Sequence, residues 1–189
     1  MQGLSTSLKE GKISTHGRLS CRNYYAETWR PWHIVIASRA PSADAKKRFY
    51  RREVLKDKRR LINQDKIMHV LQNELRNTLV SRHTFGHTND LEIARDADIL
   101  IGYHGRNLVN FVYMRQGSIV VEIQSAGFQS LKYAAETKML QLHYGAYVNL
   151  NRSRQETHLR NNHNSHITAN PFDILRVLRT VTSMYASTK

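Results

Sequence analysis

The sequence predicts an α/β fold built on a doubly wound parallel sheet, and three observations carry that prediction. Short apolar runs at Ile34 to Ala37, Ile99 to Ile101 and Ile119 to Val121 have the length and continuous burial signal of strands covered on both faces. Longer segments between and after them repeat apolar residues at helical spacing. Strands alternate with helices along the chain, the order that yields parallel strands joined by crossover helices.

The 189 residues, 40% of them hydrophobic, can bury one sizeable core, and length suggests one domain. Residues 1–30 are polar and aperiodic and read as a poorly ordered lead-in, leaving 31–189 as the domain. The balance of 29 basic against 15 acidic residues, a net charge of +14, predicts a polyanionic partner or a phosphate-bearing ligand. Cys21 is the only cysteine, which excludes an intrachain disulfide and a cysteine-based zinc site. No apolar run reaches the length of a signal-peptide core or a membrane span.

Trp29, Pro31 and Trp32 lead into the first strand, which ends at Ser38-Arg39, where a ligand-binding loop begins. Arg39 to Arg60 then carries ten basic residues against three acids. Lys46 to Lys58 reads as a solvated basic face, whereas Arg39, Arg59 and Arg60 flank the loop near a strand end and a helix start, where a guanidinium can fork onto phosphate. Asn63 is positioned to cap the next helix, whose apolar face is Ile67, Val70, Leu71, Leu75 and Leu79. Ser81 to Thr88 reads as a polar connector with at most a short strand at Thr84-Phe85. Asn89 with Glu92 resembles a capping box opening a short helix that ends near Ala97.

Asp96 to Ile123 is the centre of the pattern: strand, turn bracketed by Gly102 and Gly105, helix over Asn107 to Met114, and a second strand. In such a unit an anion sits where the first strand ends and the helix begins, because unpaired N–H groups point there. His104, Gly105, Arg106 and Asn107 occupy that spot. Beyond it, Gln129 to Leu140 reads as a helix presenting Leu131, Ala134, Ala135 and Met139, and Leu142 to Val148 as a strand interrupted by Gly145. Residues 149–169 form a polar loop. Asn170 and Pro171 then open a final helix over 170–186 with Ile174, Val177, Leu178, Val181 and Tyr185 on its apolar face.

Some chemistry-bearing patterns read as bland. Asp96-Ala97-Asp98 matches a metal-holding D-x-D, but it precedes its strand and so lies at the wrong end for a ligand. His158, His163 and His166 sit in a polar loop without a scaffold to make them metal ligands. Asn151-Arg152-Ser153 is a glycosylation sequon, with meaning only in the secretory lumen. No Walker loop, G-x-G-x-x-G, H-E-x-x-H or G-x-S-x-G is present.

Ser38-Arg39, R-R-L-I-N at 59–63, A-D-I-L-I-G-Y-H-G-x-x-L-x-N at 97–110 and G-S-I-V-V-E-I at 117–123 together resemble glycosyltransferase family 61, in order and spacing, over roughly residues 32–148. That family includes plant xylosyltransferases and O-linked N-acetylglucosaminyltransferases. The resemblance implies a GT-B enzyme of two Rossmann-like domains, this chain corresponding to the C-terminal, donor-binding one and lacking the N-terminal partner domain. It implies transfer of a sugar such as xylose or N-acetylglucosamine from a UDP-sugar to a hydroxyl of a glycan or protein acceptor, without a metal cofactor, in the Golgi or endoplasmic reticulum lumen.

On that resemblance Arg39 and Arg60 contact phosphate, the N–H groups of Gly105, Arg106 and Asn107 cradle it, His104 bonds donor or phosphate, and Glu122 at the end of its strand accepts from ribose hydroxyls. Asn63 and Asn110 read as cap and packing residue. Where the family reads H-G-A-G-L-T-N, this chain reads H-G-R-N-L-V-N. Arg106 therefore either adds a phosphate contact or fills the pocket. Two other readings stand beside the enzyme: an inactive nucleotide-binding module, and, resting on net charge alone, a basic nucleic-acid-binding protein.

Overall fold

A computed structural model of the chain describes residues 31–39, 60–86, 89–125, 128–150, 155–156 and 166–186. The lead-in, the basic run Lys46 to Lys58, Arg59, the sequon, His158 and His163 lie outside the described residues.

Five strands, β1 (Trp32–Ser38), β2 (Thr78–Thr84), β3 (Ile99–Tyr103), β4 (Ile119–Ser125) and β5 (His143–Asn149), pair in parallel in the order β2-β1-β3-β4-β5. Among the described residues, four α-helices, α1 (Gln64–Glu74), α2 (Asp90–Asp96), α3 (Lys132–Met139) and α4 (Pro171–Ala186), and a 3₁₀ helix (Leu108–Tyr113) connect and cover them. The fold is therefore α/β, a Rossmann-like doubly wound parallel sheet.

Side chains alternate across each strand, so one apolar run feeds two cores. Ile34, Ile36, Ile99, Ile101, Ile119 and Val121 face α1 and α4, where Ile67, Leu71, Ile174 and Leu178 meet them. Val35, Ala37, Leu100 and Val120 face the other way, onto Ala94 of α2, Leu108 and Phe111 of the 3₁₀ helix and Tyr133 of α3. Each fully buried isoleucine stabilises the fold by roughly 1.5–3 kcal/mol relative to exposure. β3 and β4, central and covered on both sides, are buried at every position.

Several elements differ from the sequence expectation. The first half of the connector expected at Ser81 to Thr88, Ser81 to Thr84, belongs to β2, an edge strand whose pattern TLVSRHT buries only Val80. Leu79, expected on the α1 face, is instead an exposed strand residue. The helix expected over Asn107 to Met114 is a six-residue 3₁₀ helix. In α3 the buried residues are Tyr133 and Thr137, while Leu131 and Met139 are exposed. Asn63 does not cap α1: its side chain donates to the Ala169 carbonyl at 2.6 Å and accepts from the Ala169 N–H at 3.1 Å, pinning the segment before α4 to the start of α1. Asn89 makes no side-chain cap either. Asn170 does cap α4, accepting from the Phe172 N–H at 3.1 Å.

Gly145 does not interrupt β5. A Cβ there would lie 2.6 Å from Val181 and 2.8 Å from Val177, so the glycine is what lets α4 press against the strand. Within 149–169, Gln155–Glu156 (β6) pairs antiparallel with His166–Ile167 (β7), and Ile167 bridges to Leu61.

The strand order fixes where a ligand would go. The chain leaves β1 toward β2 and then crosses back to β3 on the other side, so the connections after β1 and β3 diverge and open a crevice beyond their C-terminal ends. Ser38-Arg39 and His104 to Asn107 end those two strands.

Candidate functional site

At the crevice, Gly105 holds φ +149°, a conformation that side-chain-bearing residues rarely adopt and glycine accepts. The turn it makes delivers Asn107, whose side-chain amide donates to the Ser38 carbonyl and ties the ends of β1 and β3 together. The Asn107 carbonyl in turn accepts from Asn110 at 2.9 Å, and Tyr133 of α3 donates to the Gly105 carbonyl at 3.2 Å. Arg39 and Arg106 are exposed on either side of this tie.

Two cavities flank it. The larger, about 570 Å³, is lined by the polar residues Arg39, Arg106, Asn107, Asn110 and Asp90 and by the apolar or aromatic Phe85, Val109, Val112 and Tyr113. The smaller, about 30 Å³, lies toward α1 and is lined by Ser38, Arg39, Gln64, Tyr103, His104 and Arg106 among others. Arg39, Arg106 and Asn107 belong to both. A ligand with an apolar ring and an anionic group matches this arrangement chemically.

Gln64 was missed by the sequence reading. It opens α1, is 7% exposed and faces the smaller cavity. Because Asn63 is committed to Ala169, no side chain caps α1, and the first N–H groups of an eleven-residue helix remain available as its positive end. The helix start after β3, which the sequence reading favoured, is too short for an equivalent dipole. The stronger anion-attracting terminus of the crevice is therefore the start of α1.

Arg60 lines neither cavity, although its neighbour Leu61 borders the smaller one. Its main chain is held by the β7 segment, its N–H donating to His166 Nδ1 at 3.2 Å and its carbonyl accepting from Ile167 at 2.9 Å.

His104 and Glu122 meet. His104 is 9% exposed, and its ring lies between Tyr133, stacked at 4.7 Å, and Phe128, tilted at 4.6 Å. Its Nδ1 bonds the Glu122 carboxylate. Glu122, expected at the strand end as a ribose ligand, stands in mid-strand: it is the fourth residue of β4 and 0% exposed. Its carboxylate accepts from His104, from the Tyr144 hydroxyl and from Gln124 at 3.0 Å. Burial, then the bond to Glu122, pushes the Tyr144 hydroxyl far above its ordinary range, so Tyr144 stays a neutral donor. A lone acid inside Ile119 to Ile123 signals a buried, partnered charge; of its partners, Gln124 shares the strand, and His104 and Tyr144, on other parts of the chain, carry no sequence signal.

The family model described as Glycosyltransferase 61 matches residues 8–121, more than half of the 189-residue chain. The match begins well inside the polar lead-in and ends one residue before Glu122. No curated protein matches the chain. Among solved structures, the chain is similar to a D-isomer specific 2-hydroxyacid dehydrogenase family protein from Klebsiella pneumoniae 342, at 12% identity and a TM-score of 0.37, covering 89% of this chain and 59% of that one.

Proposed function

Since the chain belongs to glycosyltransferase family 61, we propose that it is the donor-binding domain of a GT-B enzyme that transfers a sugar from a UDP-sugar to an acceptor hydroxyl. The observation that carries this reading is the crevice between β1 and β3, where Arg39 and Arg106 border both a cavity that also has Val109, Val112 and Tyr113 in its lining and a smaller one that reaches Gln64 at the uncapped start of α1. The diphosphate lies against Arg39 and Arg106 and toward Gln64, and the uridine rests on Val109, Val112 and Tyr113. As the bond from sugar to phosphate breaks, negative charge grows on the diphosphate, and preoriented cations and N–H groups stabilise it more than they stabilise the bound donor. These groups supply the positive charge without a metal.

In this reading the acceptor, a glycan or protein hydroxyl, is presented by an N-terminal domain, and xylose and N-acetylglucosamine are the leading donor sugars. The compartment is the Golgi or endoplasmic reticulum lumen. No helix among the described residues is long and apolar enough to cross a membrane.

Calorimetric titration with UDP tests the site. Saturable binding is expected, and Arg39→Ala should weaken it about tenfold or more, the worth of a charge-assisted hydrogen bond. Absence of UDP binding, with short RNA or DNA binding steeply dependent on salt, would overturn the reading in favour of a nucleic-acid-binding protein. The bond from Asn107 to Ser38 across the crevice favours a second reading, a module that binds nucleotide without turnover. Transfer or hydrolysis of UDP-xylose and UDP-N-acetylglucosamine, assayed with and without a family N-terminal domain, separates the two.

A further inference from the structure

Glu122 is the most deeply buried charged side chain near the crevice, and it touches the ligand cavity only through His104. On β4, Val120, Glu122 and Gln124 share one face of the sheet, and Tyr144 reaches Glu122 from the same face of β5. Gly102 is the residue paired with Glu122 on β3, so no side chain from that strand intrudes. Tyr133 and Phe128 close over the His104 ring. The carboxylate thus has three donors: His104 Nδ1, the Tyr144 hydroxyl, and Gln124, which is itself anchored to the Ser130 carbonyl at 2.8 Å.

A carboxylate only accepts, so a nitrogen bonded to it carries the proton. Which imidazole nitrogen is protonated is set by the bond the other one makes. Here Nδ1 is committed, and Nε2 has no hydrogen-bond partner among the described residues.

We propose that Glu122, Tyr144 and Gln124 are positioning residues that fix the ring and tautomer of His104, with the proton on Nδ1, so that Nε2 is the atom offered to the donor in the crevice. Tyr144 and Gln124 hold the carboxylate, and the carboxylate holds the imidazole. This rests on the donor-binding reading for the identity of the ligand, but the tautomer does not depend on it. A burial role alone would leave Glu122 unnecessary, because removing a charge from the centre of a sheet relieves desolvation, and apolar replacement of buried ionic groups is often neutral or stabilising.

Two measurements on the full chain test it. Nitrogen-15 spectra of the imidazoles, with His104 assigned by loss of its signals in His104→Gln, should show Nδ1 protonated in the wild type. A bare Nδ1 facing Glu122 overturns the proposal whether or not UDP binds. The second is a double-mutant cycle on UDP affinity. Glu122→Gln should weaken UDP about tenfold in the wild type and less than about twofold in His104→Gln, since the residue acts through the ring. Tyr144→Phe, which keeps the packing, should follow the same pattern with a smaller change. Equal weakening in both backgrounds, or none in the wild type, overturns it. If the wild type fails to bind UDP, the donor reading falls, and the imidazole spectra still decide the tautomer.

Discussion

Two buried carboxylates lie on adjacent strands, one just before β3 begins and one in the middle of β4. Asp98, immediately before β3, is 1% exposed and is satisfied by structure: the His33 N–H donates to it at 2.8 Å, and Arg115 approaches at 3.5 Å. Glu122, at the midpoint of β4 and bonded toward the strand's C-terminal side, is satisfied by a side chain that lines a cavity. In a parallel sheet every strand ends on the same side, so the polarity of the strand separates a staple from a functional group. Asp96-Ala97-Asp98 has the sequence of a metal motif and the position of a brace, joining β1 to β3 where no crevice opens.

That contrast can be broken most forcefully at Asp98. Asp98→Ala strips the acceptor from a buried N–H and leaves Arg115 short of a partner, which should cost about 3 kcal/mol of stability. UDP affinity of the folded protein should stay within about twofold, a shift far below the tenfold step of 1.4 kcal/mol. Urea unfolding and titration on one preparation give both numbers. Loss of affinity at unchanged stability would erase the distinction between the two ends of the sheet.

At the crevice itself, Arg106 is the sharper probe. Arg106→Ala restores the smaller residue that the family pattern has at this turn position. If the guanidinium contacts phosphate, affinity falls severalfold, on the order of 1 kcal/mol for an exposed charge-assisted bond, and the fall shrinks as salt rises. A gain in affinity instead would show that Arg106 fills the space a donor needs. The expected result is the loss, because Arg106 borders both cavities with Arg39 while Asn107 already ties the turn.

The sequence carries the centre of this molecule better than its margins, for physical reasons. β1, β3 and β4 are buried on both faces, so their apolar runs are continuous and legible. β2 is an edge strand that buries one residue of seven, so its sequence reads partly as the end of a helix, through Leu79, and from Ser81 on as a connector. In α3 an aromatic and a threonine do the packing, with Tyr133 roofing His104 and Thr137 bonding back to the Tyr133 carbonyl at 2.7 Å. A search for aliphatic periodicity therefore selects Leu131 and Met139, which are exposed. The site divides similarly. Arg39, His104, Arg106 and Asn107 are legible because strand ends mark them, whereas Gln64 has no signal, since its role depends on Asn63 turning away to Ala169.

The smallest expected effect separates the two ends by pH. His143 opens β5 at the end of the sheet remote from the crevice, its N–H donating to Ser118 at 2.9 Å, and burial lowers its pKa below the ordinary 6.5. The unfolded chain therefore binds more protons than the folded one between the two values, and stability rises with pH there. The contribution is complete above about pH 6.5 and is lost as pH falls toward the folded value. His143→Gln should flatten the fall in urea midpoint between about pH 7 and about pH 5, by a small amount because the ring is only half-buried. UDP affinity at each pH should match the wild type. Parallel stability profiles would remove His143 from the acid limb, and a changed pH dependence of UDP binding would mean that the two ends of the sheet are coupled through β4 and β5.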